Sequence, residues 1–422
     1  MRRLWRPILR PRADRRLPDS LQPRAASAAA AALPGGVADP AFVELLSRID
    51  ESPFHAGNRV EVFFRGEDAF DAMLEAVRSA RHEVLLESYI FKDDATGEVF
   101  ARALGEAAAR GVGVRVLADG FGSFETRRRF WAGLREKGVD ARLFHPIGFP
   151  PRWLAFRDHR KILVADRRVA FTGGMNIGAE YGSWSGSAET RARSDAWRDT
   201  HARVEGPAAW EMALVFEEGW RRAGGHPIGL ESREEDFSAP GAKVMVLDSR
   251  PGRGAVESAA VLASIVAGAR SRVWITMAYF APRTRAARYI ARASRRGVDV
   301  RMILPARTDV WLVRHAGHGF YSGLLAAGVR IFEYRAAVLH AKTMVADGLF
   351  SVIGSSNYDF RSFELNAECN FVIRDASTAA AMAARFETDL GACEEVRRSP
   401  WKKRPGWHRI LDAGARKLAP LL

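Results

Sequence analysis

The chain repeats one pattern of strands and helices, and this repeat limits the folds that it can adopt. The segment EVLLESYIF at 83–91 matches RVWITMAYF at 272–280, and both are short apolar runs typical of buried strands. A helix-like segment follows each one and ends at a glycine, Gly111 or Gly297, that suits a helix C-terminus. Further strands follow in matching order, VGVRVLADG and GVDARLF in the first copy, VDVRMILPA and GVRIFEY in the second. This alternation predicts βαβ units and a mixed or mostly parallel sheet.

The two copies predict an α/β protein with two similar half-domains, each a mixed sheet flanked by helices. We expect the first half at 39–225 and the second at 240–395, joined by a linker at 226–239 that is rich in glycine, proline and charge. Residues 1–38, with runs of proline, arginine and alanine, are typical of an unpacked arm. Residues 396–422 form a basic tail.

The positive charge of the chain lies at its two ends. The 422 residues carry a formal net charge of +14. Residues 1–30 hold eight arginines against two aspartates, and residues 396–422 hold eight lysines or arginines against one aspartate, which leaves the body near +1. Basic ends favour an anionic membrane surface as a partner, whereas a nuclease is expected to carry basic charge along its body. We therefore expect no nucleic-acid partner, and the sequence makes no prediction about the oligomeric state.

The sequence predicts a protein that lies on a membrane without crossing it. No run of about 18 apolar residues occurs, and the arginine-rich start lacks the apolar segment of a secretory signal. Two cysteines, Cys369 and Cys393, are too few for a disulfide framework and favour reduced thiols. We expect a peripheral protein on the cytoplasmic face of the cell membrane.

The tail predicts an amphipathic helix. At 100° per residue its apolar positions share one arc of about 120°; they are Trp407, Ile410, Leu411, Leu418, Leu421 and Leu422. A tryptophan and a cationic cluster precede the arc, the pattern of a helix lying in a membrane interface; they are Trp401, Lys402, Lys403 and Arg404. The alternative is a terminal helix packed on the body with its polar face in solvent.

Each half contains one histidine in the same short motif, HxKxxxxD. The motif residues are His159, Lys161 and Asp166 in the first half and His340, Lys342 and Asp347 in the second. A chain of this composition would contain roughly 0.01 such matches by chance. Only eight of its 64 cationic residues are lysine, so lysine in both motifs indicates a need for a compact ammonium rather than a planar guanidinium. This rarity argues against two core histidines beside solvated lysines.

The residues around the motifs predict a site for a phosphate group. Alternation along a strand puts the histidine and the lysine of each motif on one face. Asp166 and Asp347 complete the motifs and are counted here with the catalytic residues, although a structural role at a turn is as compatible with their pattern. In the sequence, each motif is followed by a Gly-rich turn whose backbone N–H and side-chain amide groups could face an anion. The residues of these turns are Gly173, Asn176, Gly354, Ser355 and Asn357.

Two imidazoles and two ammonium groups suit phosphoryl transfer. One neutral histidine would attack phosphorus and form a phosphohistidine, while the other would protonate the leaving alkoxide and then deprotonate the incoming hydroxyl. Lys161 and Lys342 would stabilise the charge on the non-bridging oxygens. We expect neither a metal nor another cofactor, because the sequence offers no histidine, cysteine and carboxylate cluster at ligand spacing. The residues alone leave open which histidine is the nucleophile.

Each histidine needs a partner that orients its ring through the other nitrogen. Asp199 follows His159 by 40 residues, and Glu368 follows His340 by 28. The longer gap in the first half is accounted for by the polar insertion SWSGSAETRARSD. The equivalent order of these acids in the two halves favours them as the orienting residues.

The complete pair of motifs resembles the duplicated HKD signature of the phospholipase D superfamily. The resemblance covers about 83–373 and includes FTGGMNIGAEY, WRDTHARVEGPA and GSSNYDFRSFELNAE, which are most similar to bacterial cardiolipin synthases of the short type without N-terminal membrane spans. It implies two α/β half-domains related by a pseudo-twofold axis, with one active site between them. It also implies His159 as nucleophile, His340 as general acid and base, and transfer of a phosphatidyl group between phospholipids, commonly phosphatidylglycerol.

Two other functions use the same chemistry. Hydrolysis of phospholipids would need only water as the acceptor, and a metal-independent nuclease would act on another phosphodiester. The site residues do not separate transfer from hydrolysis, and they do not identify the second substrate. A binding module without turnover is disfavoured by the two complete motifs.

Overall fold

The computed structural model describes residues 18–146, 156–182, 196–229, 240–251, 253–308 and 310–418. Predictions for the start of the arm, the polar insertion, most of the linker and the last four tail residues lie outside the described residues. The described helices are α1 Pro23–Ala32, α2 Pro40–Asp50, α3 Gly66–Ser79, α4 Ala95–Ala109, α5 Arg128–Glu136, α6 Ala208–Arg222, α7 Arg253–Gly268, α8 Thr284–Arg295, α9 Trp311–Ala326, α10 Phe360–Glu364, α11 Ala376–Leu390, α12 Arg398–Lys402 and α13 Gly406–Leu418.

The described strands form one long sheet and one short pair. They are β1 His55–Phe63, β2 Glu83–Ser88, β3 Gly113–Asp119, β4 Asp140–Phe144, β5 Lys161–Ala165, β6 Val169–Gly173, β7 His201–Glu205, β8 Ala242–Ser249, β9 Arg272–Met277, β10 Phe280–Ala281, β11 Asp299–Pro305, β12 Arg330–Tyr334, β13 Lys342–Ala346, β14 Phe350–Gly354, β15 Tyr358–Asp359, β16 Glu368–Arg374 and β17 Cys393–Val396. Strands β10 and β15 pair with each other, and the other 15 share the main sheet.

The order of strands in the main sheet repeats outward from its centre. One half reads β1-β7-β6-β5-β2-β3-β4, and the other reads β8-β16-β14-β13-β9-β11-β12, with β17 added at the edge. The halves join where β1 pairs with β8 in antiparallel orientation. In each half three strands are parallel and the remaining pairs are antiparallel. The structure thus confirms two similar α/β halves, each with a mixed sheet.

Helices cover both faces of the sheet because the strands are apolar on both sides. In β2, Val84 and Leu86 pack in one core with α3, α4 and α5, while Leu85 points to the opposite core with α6. In β9, Val273 and Ile275 pack in a core with α7, α8 and α9, and Trp274 packs on the other face against α11. This arrangement fixes the strands whose ends carry the motifs.

Residues 18–38, the described part of the N-terminal segment, correct the prediction of an unpacked arm at 1–38. Helix α1 buries Ala26 and Ala30 in the core around α7, because small side chains let the two helix backbones approach closely. The Arg270 guanidinium donates to the carbonyls of Ala31 and Leu33 at the end of α1. Helix α2 also packs on the second half, where Phe42 contacts Phe350 edge to face at 5.3 Å, although the sequence assigned 40–50 to the first half.

The C-terminal helix α13 packs on α9 through a mixed face rather than its apolar arc. Asp412 is 3% exposed and Ala415 is 2% exposed at this contact. Trp407 and Ile410 of the predicted apolar arc are instead 61% and 76% exposed. The helix is therefore anchored to the body and still presents large apolar side chains to solvent. No helix within the described ranges is long and apolar enough to cross a membrane.

The motif aspartates lie at turns far from the histidines. Asp166 follows β5, which at about 3.3 Å per residue carries it well over 10 Å from Lys161. Its carboxylate accepts hydrogen bonds from the backbone N–H groups of 81, 82 and 83 at 2.8, 2.7 and 2.9 Å, where β2 begins. Asp347 accepts equivalent bonds from 270, 271 and 272 before β9. The prediction that counted both aspartates as catalytic is corrected, because these carboxylates are occupied in holding two strands together.

We expect Asp166→Asn to lower the stability of the fold by about 1–3 kcal/mol at neutral pH, since three backbone donors lose a charged acceptor. Burial alone would raise the pKa of Asp166, but the hydrogen bonds from Glu83, Arg81 and His82 outweigh it and hold the pKa low. Because the folded pKa is depressed, this stabilisation is present near neutral pH and is lost as the pH falls through that pKa. Thermal unfolding midpoints of the wild type and the variant, at neutral pH and at a pH below the folded pKa of Asp166, measure the effect.

Asp68→Asn is the matched control for this variant, because the Asp68 side chain is 61% exposed on α3. Equal midpoints for the two variants at neutral pH would contradict the structural role of Asp166.

Candidate active site

The two motif histidines meet where the halves join. His159 and His340 lie two residues before β5 and β13, and backbone bridges from the adjacent Asp158 and Leu339 to the opposite half hold them in place. The His159 N–H donates to the carbonyl of Ala367 at 2.9 Å, and the His340 N–H donates to the carbonyl of Arg198 at 2.8 Å. Each histidine therefore lies just before the strand of its own motif, while the backbone of the other half fixes its position.

Each histidine is also oriented by a carboxylate of the other half. His159 Nδ1 lies 2.9 Å and 3.1 Å from the carboxylate oxygens of Glu368, and His340 Nδ1 lies 2.7 Å from Asp199 Oδ2. In the sequence, each acid follows the histidine of its own half. In the structure, each acid instead contacts the histidine of the other half, so the four expected residues form crossed pairs. A carboxylate engages Nδ1 in both rings, which leaves Nε2 as the nitrogen for chemistry on a substrate.

Further donors hold the two carboxylates. Ser355 Oγ and Ser362 Oγ donate to Glu368 at 2.6 Å and 2.7 Å. The Thr200 N–H donates to Asp199 Oδ1 at 2.7 Å. A Cβ at Gly174 would lie 2.0 Å from the same Asp199 oxygen, so only glycine leaves room for this carboxylate. Because both acids are fully buried, these donors compensate for their loss of hydration.

The motif lysines bridge back to their own histidines. Lys161 Nζ donates to the carbonyl of His159 at 2.7 Å and lies 5.4 Å from the centre of the Tyr89 ring. Lys342 Nζ donates to the carbonyl of His340 and lies 2.9 Å from that ring's nitrogens. Both lysines are 2% exposed, so their positive charge acts in a region of low polarity.

Burial lowers the pKa of both histidines. For His340, burial and the Lys342 ammonium outweigh Asp199 and lower the pKa to about 4. For His159, burial outweighs the attraction of Glu368, and the pKa lies below its usual value. Burial also lowers the pKa of Lys161 to about 7, against Glu368 and with the help of Lys342. The free site thus holds neutral imidazoles at neutral pH.

The two orienting carboxylates remain ionised. Burial alone would raise the pKa of Asp199, but its interactions with His340 and Lys342 outweigh burial and lower the pKa. For Glu368, burial is outweighed by His159, and Lys161 and Ser355 also help to lower the pKa. Ionised acceptors select the tautomer with the proton on Nδ1, which leaves a lone pair on Nε2.

Most of the predicted phosphate donors are occupied in the fold, and this corrects their assignment. The Asn176 amide accepts from the Ile90 N–H at 3.1 Å and donates to the Tyr181 hydroxyl at 2.6 Å. The N–H groups of Gly174 and Ser355 donate to strand carbonyls, each at 3.0 Å. The Ser355 hydroxyl positions Glu368 instead.

The two turn glycines have a packing role. A Cβ at Gly173 would lie 2.4 Å from the carbonyl oxygen of Thr200, and one at Gly354 would lie 2.4 Å from that of Cys369. Both glycines let neighbouring strands approach where the orienting acids emerge. Asn357 differs, because its buried Oδ1 has no hydrogen-bond partner among the described residues, and it stays a candidate for binding substrate.

The sequence analysis did not predict the aromatic side chains that surround the two histidines. The Tyr89 ring centre lies 4.8 Å from that of His159, and Trp197 and Tyr181 lie 5.2 Å and 5.5 Å from His340. The repeat gave no signal for Tyr89, because its counterpart in the second copy is Ala278. These rings exclude water from the histidines and so strengthen the electrostatic interactions in the site.

A cluster of side chains that could ligate a metal lies outside the site of the motif histidines. Among the described residues, one group of at least three histidine, cysteine or acidic side chains has its ligand atoms close enough to share an ion. It lies between α9 and α13 and includes neither motif histidine.

Comparisons with known proteins agree with this geometry. The family model described as cardiolipin synthase, PLD-like domain, matches residues 73–200 and 262–390, one match in each half. The cardiolipin synthase of Halalkalibacterium halodurans is 31% identical over 384 residues, which cover 90% of this chain and 75% of that protein. The cardiolipin synthase of a Geobacillus species is 32% identical over 387 residues, with 90% and 76% covered.

A solved structure has the same fold. The crystal structure of the phosphatidylserine synthase of Haemophilus influenzae covers 89% of this chain and 98% of its own, with a TM-score of 0.68 and 14% sequence identity. At this identity the likeness concerns the fold alone. The family model spans more than half of the chain, and the relatives align with most of it. The chain therefore belongs to the cardiolipin synthase family of the phospholipase D superfamily, as its motifs indicated.

Proposed function

We propose that this phosphatidyltransferase makes cardiolipin from two phosphatidylglycerol molecules through a phosphohistidine intermediate. The observation that carries the proposal is the crossed arrangement, in which two histidines with engaged Nδ1 atoms share one site with two lysines. The names of the relatives, cardiolipin synthases, supply the substrate class.

In the first step, His159 Nε2 attacks the phosphorus of the donor lipid, and the bond from phosphorus to the glycerol headgroup oxygen breaks. His340 donates its Nε2 proton to this oxygen, and glycerol leaves. In the second step, His340 removes the proton of a headgroup hydroxyl on the acceptor lipid. The resulting alkoxide attacks phosphorus, the P–N bond breaks, and His159 is free again.

The charges of the site suit this sequence of steps. A neutral His159 is a competent nucleophile, and its lowered pKa keeps it neutral near physiological pH. His340 must be protonated to act as an acid, although its pKa is low in the free site. A bound anionic phosphodiester opposes the effect of the Lys342 ammonium and raises the pKa of His340. Substrate binding therefore favours the protonated form of His340, which is the acid. Lys161 and Lys342 stabilise the phosphorane charge.

Phosphatidylglycerol vesicles test the proposed reaction. We expect the wild-type protein to produce cardiolipin and free glycerol in equal amounts, measured by mass spectrometry of the lipids and an assay of the soluble alcohol. Formation of phosphatidic acid without cardiolipin would overturn the proposal in favour of hydrolysis. His159→Ala serves as the inactive control in the same vesicles.

A phosphatidyl ester with a nitrophenol leaving group separates the roles of the histidines, because this alcohol needs no proton to leave. We expect His159→Ala to form no phosphoenzyme, whereas His340→Ala forms it and fails to pass it on. Trapping by alkaline quench, which preserves the acid-labile P–N bond, and intact-protein mass spectrometry measures both. Trapping in His159→Ala but not in His340→Ala would reverse the assignment.

The same assay tests the crossed pairs. We expect Glu368→Gln to reduce phosphoenzyme formation and Asp199→Asn to reduce its transfer, each on the order of 10²–10⁴-fold, because each loses the acceptor that sets a tautomer. Same-half pairing requires the opposite pattern, with Asp199→Asn resembling His159→Ala.

We further propose that helix α13 touches the cytoplasmic leaflet. Trp407 and Ile410 are exposed on one side of this helix, with the exposed cations Arg409 and Lys417 nearby. An aromatic and an aliphatic side chain flanked by cations suit an anionic interface. The near-neutral body supports the choice of a lipid partner over nucleic acid.

The double variant Trp407→Ser, Ile410→Ser tests this contact without disturbing the buried face of α13. We expect affinity for mixed phosphatidylglycerol and phosphatidylcholine vesicles to fall more than tenfold, since about 1.5 kcal/mol or more is lost for each large apolar side chain. Vesicle sedimentation measures it, with exposed Ala413→Ser on the same helix as control. Unchanged sedimentation would place the membrane contact elsewhere.

A further inference from the structure

Two helices bring together three side chains of metal-ligating types, and none of the three belongs to the HxK motifs. His315 and His318 lie one turn apart on α9, so their side chains share a face of that helix. Asp412 reaches them from α13 and is 3% exposed, while His318 is 7% exposed. The His315 side chain is 18% exposed and forms the edge of the cluster that solvent can reach.

The distances in this cluster suit a small tetrahedral ion. Asp412 Oδ1 lies 2.9 Å from His315 Nδ1 and 3.7 Å from His318 Nδ1. One ligand atom from each residue lies within 4.8 Å of the others. Zinc bonds of about 2.0–2.1 Å in tetrahedral geometry separate neighbouring ligand atoms by about 3.3 Å. The distances from Asp412 Oδ1 to the two histidines lie on either side of this value, so small side-chain rotations complete three corners of a tetrahedron.

The surrounding residues are of the kind that orient metal ligands. His318 Nε2 lies 3.3 Å from Glu333 Oε1, which leaves Nδ1 for the cluster. The Arg404 guanidinium contacts Asp412 Oδ2 at 3.1 Å, which leaves Oδ1 for the cluster. At metal sites a ligating histidine commonly contacts a carboxylate through its other ring nitrogen, and a ligating carboxylate commonly accepts a hydrogen bond on its other oxygen. These contacts fix the histidine tautomer and the direction of each side chain.

We propose that His315, His318 and Asp412 bind one divalent transition-metal ion of the zinc class, with water as the fourth ligand. The ion joins α9 to α13 and so fixes the helix that exposes Trp407 and Ile410. It takes no part in phosphatidyl transfer, because none of its ligands belongs to the HxK motifs. The proposal goes beyond the proposed reaction and does not depend on it.

The test uses the full-length, tag-free protein, stripped with a chelator and desalted. We expect zinc titration by calorimetry to show one more bound equivalent for the wild type than for His315→Gln or His318→Gln. Zinc should raise the thermal unfolding midpoint of the wild type and leave that of both variants unchanged. His408→Gln, on α13 outside the cluster, is the matched control and should behave as the wild type.

His159 and His340 remain intact in every protein of this series, so any zinc bound by them cancels in the comparison. Equal stoichiometry in the wild type and both variants would overturn the proposal. A zinc-independent loss of stability in the variants, without a lost equivalent, would do so too and would identify an ion-pair cluster only.

A measurement on the wild type alone guards against variants that fail to fold. Cobalt in place of zinc should give the intense visible absorption of a tetrahedral site, and added zinc should abolish it. Weak absorption typical of hydrated cobalt would overturn the proposal without reference to any variant.

Discussion

The crossed hydrogen bonds between each motif histidine and a carboxylate of the other half are the interaction on which the site depends. A buried carboxylate without partners would cost several kcal/mol in lost hydration. Glu368 avoids this cost through His159 and two serine hydroxyls, and Asp199 avoids it through His340 and a backbone N–H. Because both pairs cross the junction, each carboxylate is fully satisfied only when the two halves are in register.

The same constraint accounts for residues that do not touch a substrate. Gly174 leaves room for Asp199, and Gly354 lets β14 approach β16 just where Glu368 begins that strand. Asp166 and Asp347 tie the far ends of the motif strands to β2 and β9. A motif residue can therefore recur in both halves because the scaffold needs it, while other residues of the same motif carry the chemistry.

The sequence predicted the parts of this structure that repeat. Matching strand order gave two α/β halves, and the histidine and lysine of each motif were identified because the same short motif occurs once in each half. The pairing of acids with histidines was not predictable, since equivalent positions in two copies do not say which copy supplies the contact. Helix α1 was missed because alanine carries a weak apolar signal, although small side chains allow close helix packing. The cluster at His315 was hidden because Asp412 lies far along the chain.

The pairing of β1 with β8 has a mechanical consequence. It makes one hydrogen-bonded sheet of both halves, and a hinge motion between them would break backbone bonds at the centre of the sheet while separating each histidine from its carboxylate. The distance between the two imidazoles is therefore set by the stiffness of a β-sheet and stays nearly constant through a reaction cycle. In such a frame the phosphorus atom remains in place, and the lipids, rather than the halves of the protein, make the large movements.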